Sequence, residues 1–64
     1  MYKNLRKIRL ERGIKARELA EKIGLKTEAA YYKKETGIVP FTLEESKIIA
    51  HILKLSIEEI FFKS

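Results

Sequence analysis

Between Ala16 and Glu35 the chain reads as two short helical stretches joined by Gly24-Leu25-Lys26. The second stretch carries Thr27, Glu28, Ala29, Tyr32 and Lys33, and so brings hydroxyls, a carboxylate, a methyl group and an ammonium onto one helix. Groups of these types suit the edges of DNA bases. Lys33 can donate to guanine O6 and N7, Glu28 can accept from cytosine N4, and the Ala29 methyl can pack on that of thymine. Two short helices with a tight turn between them outline a helix-turn-helix, in which one helix crosses a DNA backbone and the next enters the major groove.

Several of these residues have a plainer role beside the chemical one. Glu28 lies in the first turn of its helix, so it either accepts from a cytosine or stabilises the helix dipole. Tyr31 and Tyr32 cannot face the same way on a helix. Tyr31 is assigned to the core by helical phase, and Tyr32 is left outside to meet a phosphate, a base or water. Lys26 either approaches the DNA backbone or solvates the turn. No reaction centre competes with this surface. His51, the single histidine, has neither Cys nor a Ser partner in the pattern of a metal site or a catalytic relay. The pairs Glu44/Glu45 and Glu58/Glu59 are accounted for by helix capping. No enzyme activity, metal or cofactor is expected.

The elements that position this surface are also helical. The first helix is predicted over about Lys3 to Arg12, with Leu5, Ile8 and Tyr2 on its inner stripe, and stops at Gly13. The second covers about Ala16 to Ile23, with Leu19, Ala20 and Ile23 inward, and ends at Gly24. Ala20 is small where two helices must approach closely. Thr27 is the expected N-cap of the third helix. Pro40 forces Val39 out of the helical region, so the third helix cannot continue through Gly37-Ile38-Val39. Thr42-Leu43-Glu44-Glu45 is a capping box that starts a fourth helix with Leu43, Ile49, Ala50 and Leu53 inward. Ser56-Ile57-Glu58-Glu59 is a second box. Leu55 and Ile60 flank it as a hydrophobic staple, so a fifth helix is predicted over about Ile57 to Phe62. The expectation is one all-α, five-helix domain over residues 1–64, with the helix-turn-helix at about 16–35 and C-terminal helices over 43–62.

Sixty-four residues, 45% of them hydrophobic, can enclose one small core. The absence of cysteine excludes disulfides and thiolate metal sites. No apolar run approaches the roughly 20 residues that cross a bilayer, and the N-terminus lacks the apolar stretch of a secretory signal. The expected location is therefore the cytoplasm. The net charge of +5 is unevenly spread: residues 1–34 hold eleven Lys/Arg against four Glu, and residues 35–64 hold three Lys against five Glu. A basic half joined to a slightly acidic half suggests one face for a polyanion and another for packing or partners.

Four blocks carry a family resemblance: Asn4-Leu5-Arg6-Lys7-Ile8-Arg9, Glu18-Leu19-Ala20-Glu21-Lys22-Ile23-Gly24, Tyr31-Tyr32-Lys33-Lys34-Glu35-Thr36-Gly37, and Leu53-Lys54-Leu55-Ser56-Ile57-Glu58-Glu59-Ile60-Phe61. Together, over about residues 3 to 62, they resemble the Xre/Cro type of helix-turn-helix regulator. The Tyr-Tyr-Lys-Lys-Glu run and the Phe61-Phe62 ending resemble a branch found in phages and mobile elements of Gram-positive bacteria. The resemblance implies a lambda-repressor-like fold that binds operator DNA as a homodimer. It makes the third helix the recognition helix, with Thr27, Glu28, Ala29 and Lys33 at base-reading positions and Tyr32 beside them. It puts Ala16 and Arg17 at the phosphate-contacting start of the second helix, and it pairs Arg9 with Glu35 inside the molecule.

Departures from the family pattern carry their own implications. Relatives have Gln at Ala16, so here the backbone N–H groups would hold phosphate, with charge added by Lys15 or Arg17. Lys34 replaces a large apolar residue, and its stem is expected to cover the core edge with the ammonium reaching out. The loop at Ile38-Val39-Pro40 lacks the usual basic residues. Ile48, Ile52 and Phe62 are apolar at outward positions and either form an isologous dimer seam or complete a thin core. The expected function is a DNA-binding repressor acting on a palindromic operator. The alternative is a protein-interaction module, such as an antitoxin or anti-repressor, on the same fold.

Overall fold

Leu5, Leu19, Tyr31, Ile49, Leu53 and Ile60 are withdrawn from solvent, and every helix contributes at least one of them. Burying a side chain of this size stabilises a fold by about 1.5–3 kcal/mol, so the small core requires all the helices together. The computed structural model describes residues 2–62, and every regular element among them is helical. They are α1 (Lys3–Glu11), α2 (Ala16–Lys22), α3 (Glu28–Glu35), α4 (Leu43–Leu53) and a terminal π-helical turn (Glu58–Phe62). This is the five-helix, all-α arrangement expected from the sequence.

The helix boundaries follow from side-chain and glycine chemistry. Gly13 takes a φ of 67° just after α1, a left-handed conformation that glycine adopts without steric penalty. The capping box at α4 is complete: the Glu45 N–H donates to Thr42 Oγ1 at 3.1 Å, and the Thr42 N–H donates to Glu45 Oε1 at 2.9 Å. The box at Ser56 is equally complete, with both Ser56–Glu59 bonds at 3.1 Å.

Three expectations need correction. Leu43 was placed inward, yet it is 67% exposed. The buried stripe of α4 is Ser46, Ile49 and Leu53, and Leu43, its first residue, lies on the rim of a cleft with Tyr2, Phe41 and Phe62. The fifth element occupies the expected segment but is π-helical. A π-helix turns through a smaller angle per residue than an α-helix, which lets the neighbours Ile60 and Phe61 both pack on the core. Finally, Lys34 does not reach out. It is buried, and its Nζ donates to Glu45 Oε1 at 2.7 Å and to the Pro40 carbonyl at 3.2 Å.

This Lys34–Glu45 contact ties the end of α3 to the start of α4 across the loop. Burial works against the Glu45 charge, but the Lys34 ammonium and the Thr42 N–H outweigh it and hold the carboxyl below its ordinary 4.5. A depressed carboxyl stabilises the fold above its unfolded-state pKa and loses that contribution as pH falls through the folded value. Wild-type protein is therefore expected to be more resistant to urea than Glu45→Gln at neutral pH, with the gap closing below 4.5. A gap that stays constant into acid would remove the charge from the account.

The N-terminal segment is clasped by the rest of the chain. The Tyr2 N–H donates to the Glu35 carbonyl at 3.0 Å. Asn4 Nδ2 donates to the Glu59 carbonyl and Arg12 Nη1 to that of Leu53. The rings of Tyr2, Phe41 and Phe61 form a triangle with centroids 5.3–5.4 Å apart, within the favourable range for tilted aromatic pairs.

Candidate nucleic-acid interface

The turn between α2 and α3 is set by one glycine and one small residue. Gly24 takes a φ of 83°, and the Leu25 N–H closes back onto the Ala20 carbonyl at 2.8 Å. Ala20 is buried where the helices meet, and α2 and α3 pack on each other more extensively than any other pair. Thr27 caps α3 as expected, its Oγ1 accepting from the Ala30 N–H at 3.1 Å. At the far end, the N–H groups of Gly37 and Val39 donate to the Lys34 and Lys33 carbonyls. Those two loop donors are thus used internally, while the Ile38 side chain lies exposed.

Glu28, Ala29, Tyr32 and Lys33 are all exposed on α3, and Lys15, Arg17 and Lys26 are exposed around it. Two open grooves flank the start of α3. One is lined by Arg9, Lys15, Ala16, Arg17, Glu28 and Tyr32, together with residues of the α1–α2 turn. The other is lined by Arg17, Lys26, Thr27 and Glu28, among others. Arg17 and Glu28 border both. Most of the residues singled out from sequence therefore meet on one side of the molecule. Ala29 and Lys33 share the exposure of α3 but lie outside both grooves. Ala16 differs from the rest, because its methyl is buried in the core. The whole residue, main chain included, is only 2% exposed, although it borders the first groove.

Beneath this surface lies a buried polar cluster. Arg9 Nε and Nη2 donate to the two Glu35 carboxylate oxygens at 2.9 and 3.2 Å, a bidentate pair. Arg9 Nη1 donates to the Ile14 carbonyl at 3.1 Å, and the Tyr31 hydroxyl donates to Glu35 Oε2 at 2.6 Å. Arg9 is only 4% exposed and Glu35 1%. Burial alone would weaken the Arg9 charge, but the Glu35 carboxylate outweighs it and holds the guanidinium above its ordinary pKa. Burial first, and then Glu35, push the Tyr31 hydroxyl well up. The cluster pins the end of α1 to α3, the element that carries the exposed residues.

The proposed seam residues do not share one patch. Ile48 and Ile52 are half-buried and packed against the core. Phe62 is 77% exposed and lines the cleft with Leu43. Sequence reasoning missed the Lys34–Glu45 contact. The phase Lys34 shares with Tyr31 and Glu35 on α3 signalled its burial, but not its acceptors.

No helix among the described residues is long and apolar enough to cross a membrane. Comparisons with curated proteins and with solved structures find no match. A family model described as helix-turn-helix, HTH_3, matches residues 5–60, from the first buried leucine of α1 to the buried isoleucine of the terminal turn. With the two-helix unit, its capped second helix and the five-helix scaffold in place, the chain belongs to this lambda-repressor-like helix-turn-helix family of DNA-binding regulators.

Proposed function

We propose that the chain is a sequence-specific repressor that binds a palindromic operator as a homodimer in the cytoplasm, in the manner of phage and mobile-element regulators. The observation that carries the reading is the exposed outer face of α3, bordered by Lys15, Arg17 and Lys26 and anchored from below by the Arg9–Glu35 pair. Exposed cations neutralise phosphates without sequence preference, and the α3 side chains discriminate among bases. In a dimer, two such helices enter successive major grooves roughly 34 Å apart. Repression is steric, because the bound dimer occupies DNA that RNA polymerase requires.

Selection of bound sequences from random DNA tests binding, symmetry and spacing together. The expected product is an inverted repeat with half-sites about one helical turn apart. Failure to enrich any sequence would overturn the proposal.

Three substitutions refine it. Lys33→Ala is expected to weaken specific binding by about 1–3 kcal/mol and to relax preference at one operator position. An equal loss on every sequence would assign Lys33 to phosphate instead. For the dimer, Phe62→Glu and Ile52→Glu probe the two apolar patches of the C-terminal half. At least one is expected to shift the chain toward monomer in sedimentation, and Phe62→Glu leaves the core untouched because Phe62 is exposed. Unchanged mass in both variants would remove the seam from these helices.

A further inference from the structure

The Arg9 guanidinium contacts two kinds of partner, polar groups at its edge and aromatic rings. Its edge is committed to the Glu35 carboxylate and the Ile14 carbonyl. Its central carbon also lies 5.9 Å from the ring centroids of both Tyr31 and Tyr32, within cation–π range. Tyr31 is fully buried and fixed by its bond to Glu35. Tyr32 is different: it is 40% exposed and forms part of the groove wall with Lys15 and Arg17. An exposed side chain normally samples several rotamers, and ordering it on binding opposes affinity. Here the ring rests against both the Arg9 guanidinium and the Tyr31 ring, whose centroid is 6.1 Å away at a 65° tilt.

We infer that Arg9 is a positioning residue for DNA binding: anchored from below by Glu35, it fixes the Tyr32 ring at the groove wall with the hydroxyl ready to donate to a backbone phosphate. The inference rests on the proposal that α3 faces DNA. Arg9 thereby joins the core to the surface through one side chain. A planar guanidinium can pair with a carboxylate along its edge and cover a ring with its face, whereas an ammonium cannot do both.

The test is a double-mutant cycle read by DNA affinity, on the selected operator and on a random duplex, with thermal melts establishing that each titrated protein is folded. Tyr32→Leu is expected to weaken binding about threefold to thirtyfold, equally on both duplexes because a phosphate carries no sequence information. Arg9→Lys keeps a positive charge beside Glu35 and is expected to weaken binding by a similar factor. The double variant is expected to bind no worse than Tyr32→Leu alone. Losses that multiply would overturn the positioning role and leave Arg9 a structural residue. A loss confined to the operator would overturn the assignment to phosphate. If Arg9→Lys does not fold, NMR of the wild-type protein decides the matter. A single Tyr32 rotamer with cross-relaxation to the Arg9 side chain supports the inference, and an averaged, isolated ring overturns it. Wild-type protein that binds neither duplex would overturn the DNA-facing reading itself, an outcome distinct from additive losses with binding intact.

Discussion

Glu35→Ala is expected to destabilise the fold by about 3–5 kcal/mol, because it strands the buried Arg9 guanidinium without its partner. The Tyr31 hydroxyl loses its acceptor in the same step. Arg9 cannot escape by releasing its proton, since arginine stays charged in proteins. At roughly 0.05–0.15 kcal/mol per residue, a chain of 64 residues has roughly 3–10 kcal/mol of stability, so the variant stands at the edge of unfolding at room temperature. Urea denaturation followed by far-UV circular dichroism measures the loss. Replacing the whole cluster with apolar groups, as in Arg9→Met/Tyr31→Phe/Glu35→Leu, is expected to cost much less, because no orphaned charge remains. A loss under about 1 kcal/mol for Glu35→Ala would put the pair in the range of solvent-exposed ion pairs and contradict its burial.

The second large effect is on binding. Lys15, Arg17 and Lys26 are the exposed cations bordering the start of α3. If each neutralises one phosphate in each half of a dimer, log affinity falls with log salt at a slope of about −5. Raising monovalent salt from about 50 to about 200 mM then weakens operator binding roughly a thousand-fold. A single protomer would give about half that slope. Fluorescence anisotropy across a salt series therefore measures the electrostatic footprint and counts the protomers engaged. A flat response would contradict the role given to these side chains.

The parts of the fold that were legible in the sequence are those decided locally. Thr27 and Thr42 each precede a helix by one residue and Ser56 stands two before the terminal turn, and each accepts from the N–H three residues on. Such a cap needs no knowledge of the rest of the chain. Gly13 and Gly24 marked the helix ends for the same reason. Tyr31 and Tyr32 were separated by helical phase alone, and the structure buries the first and exposes the second.

What the sequence hid depends on contacts between distant segments. Leu43 fitted an inward stripe, but a first-turn residue is buried only if another element overlies it, and here it borders a cleft. The Lys34 ammonium looked destined for water because its acceptors, Pro40 and Glu45, come to it only when the loop folds back. The widened terminal turn likewise reflects the packing of Ile60 and Phe61, not any local preference. At the candidate interface, the α3 residues were singled out through family resemblance, with helical phase setting Tyr32 apart from Tyr31. The Arg9–Glu35 pair was legible only through family resemblance, since 26 positions separate its members. The contact of Arg9 with Tyr32 had no sequence signal, because it depends on where the end of α1 comes to rest.

The aromatic triangle of Tyr2, Phe41 and Phe61 has a consequence in time. Tyr2 and Phe61 come from opposite ends of the described chain and Phe41 from the loop between α3 and α4, whereas the contacts between α2 and α3 span neighbouring stretches. Long-range closure is entropically slower to achieve than local pairing. On a translating ribosome, the α2–α3 unit can thus take shape first, while the clasp that makes it durable waits for Phe61 to emerge. A nascent chain halted before Phe61 would hold α2 and α3 together only fleetingly and offer proteases an open target.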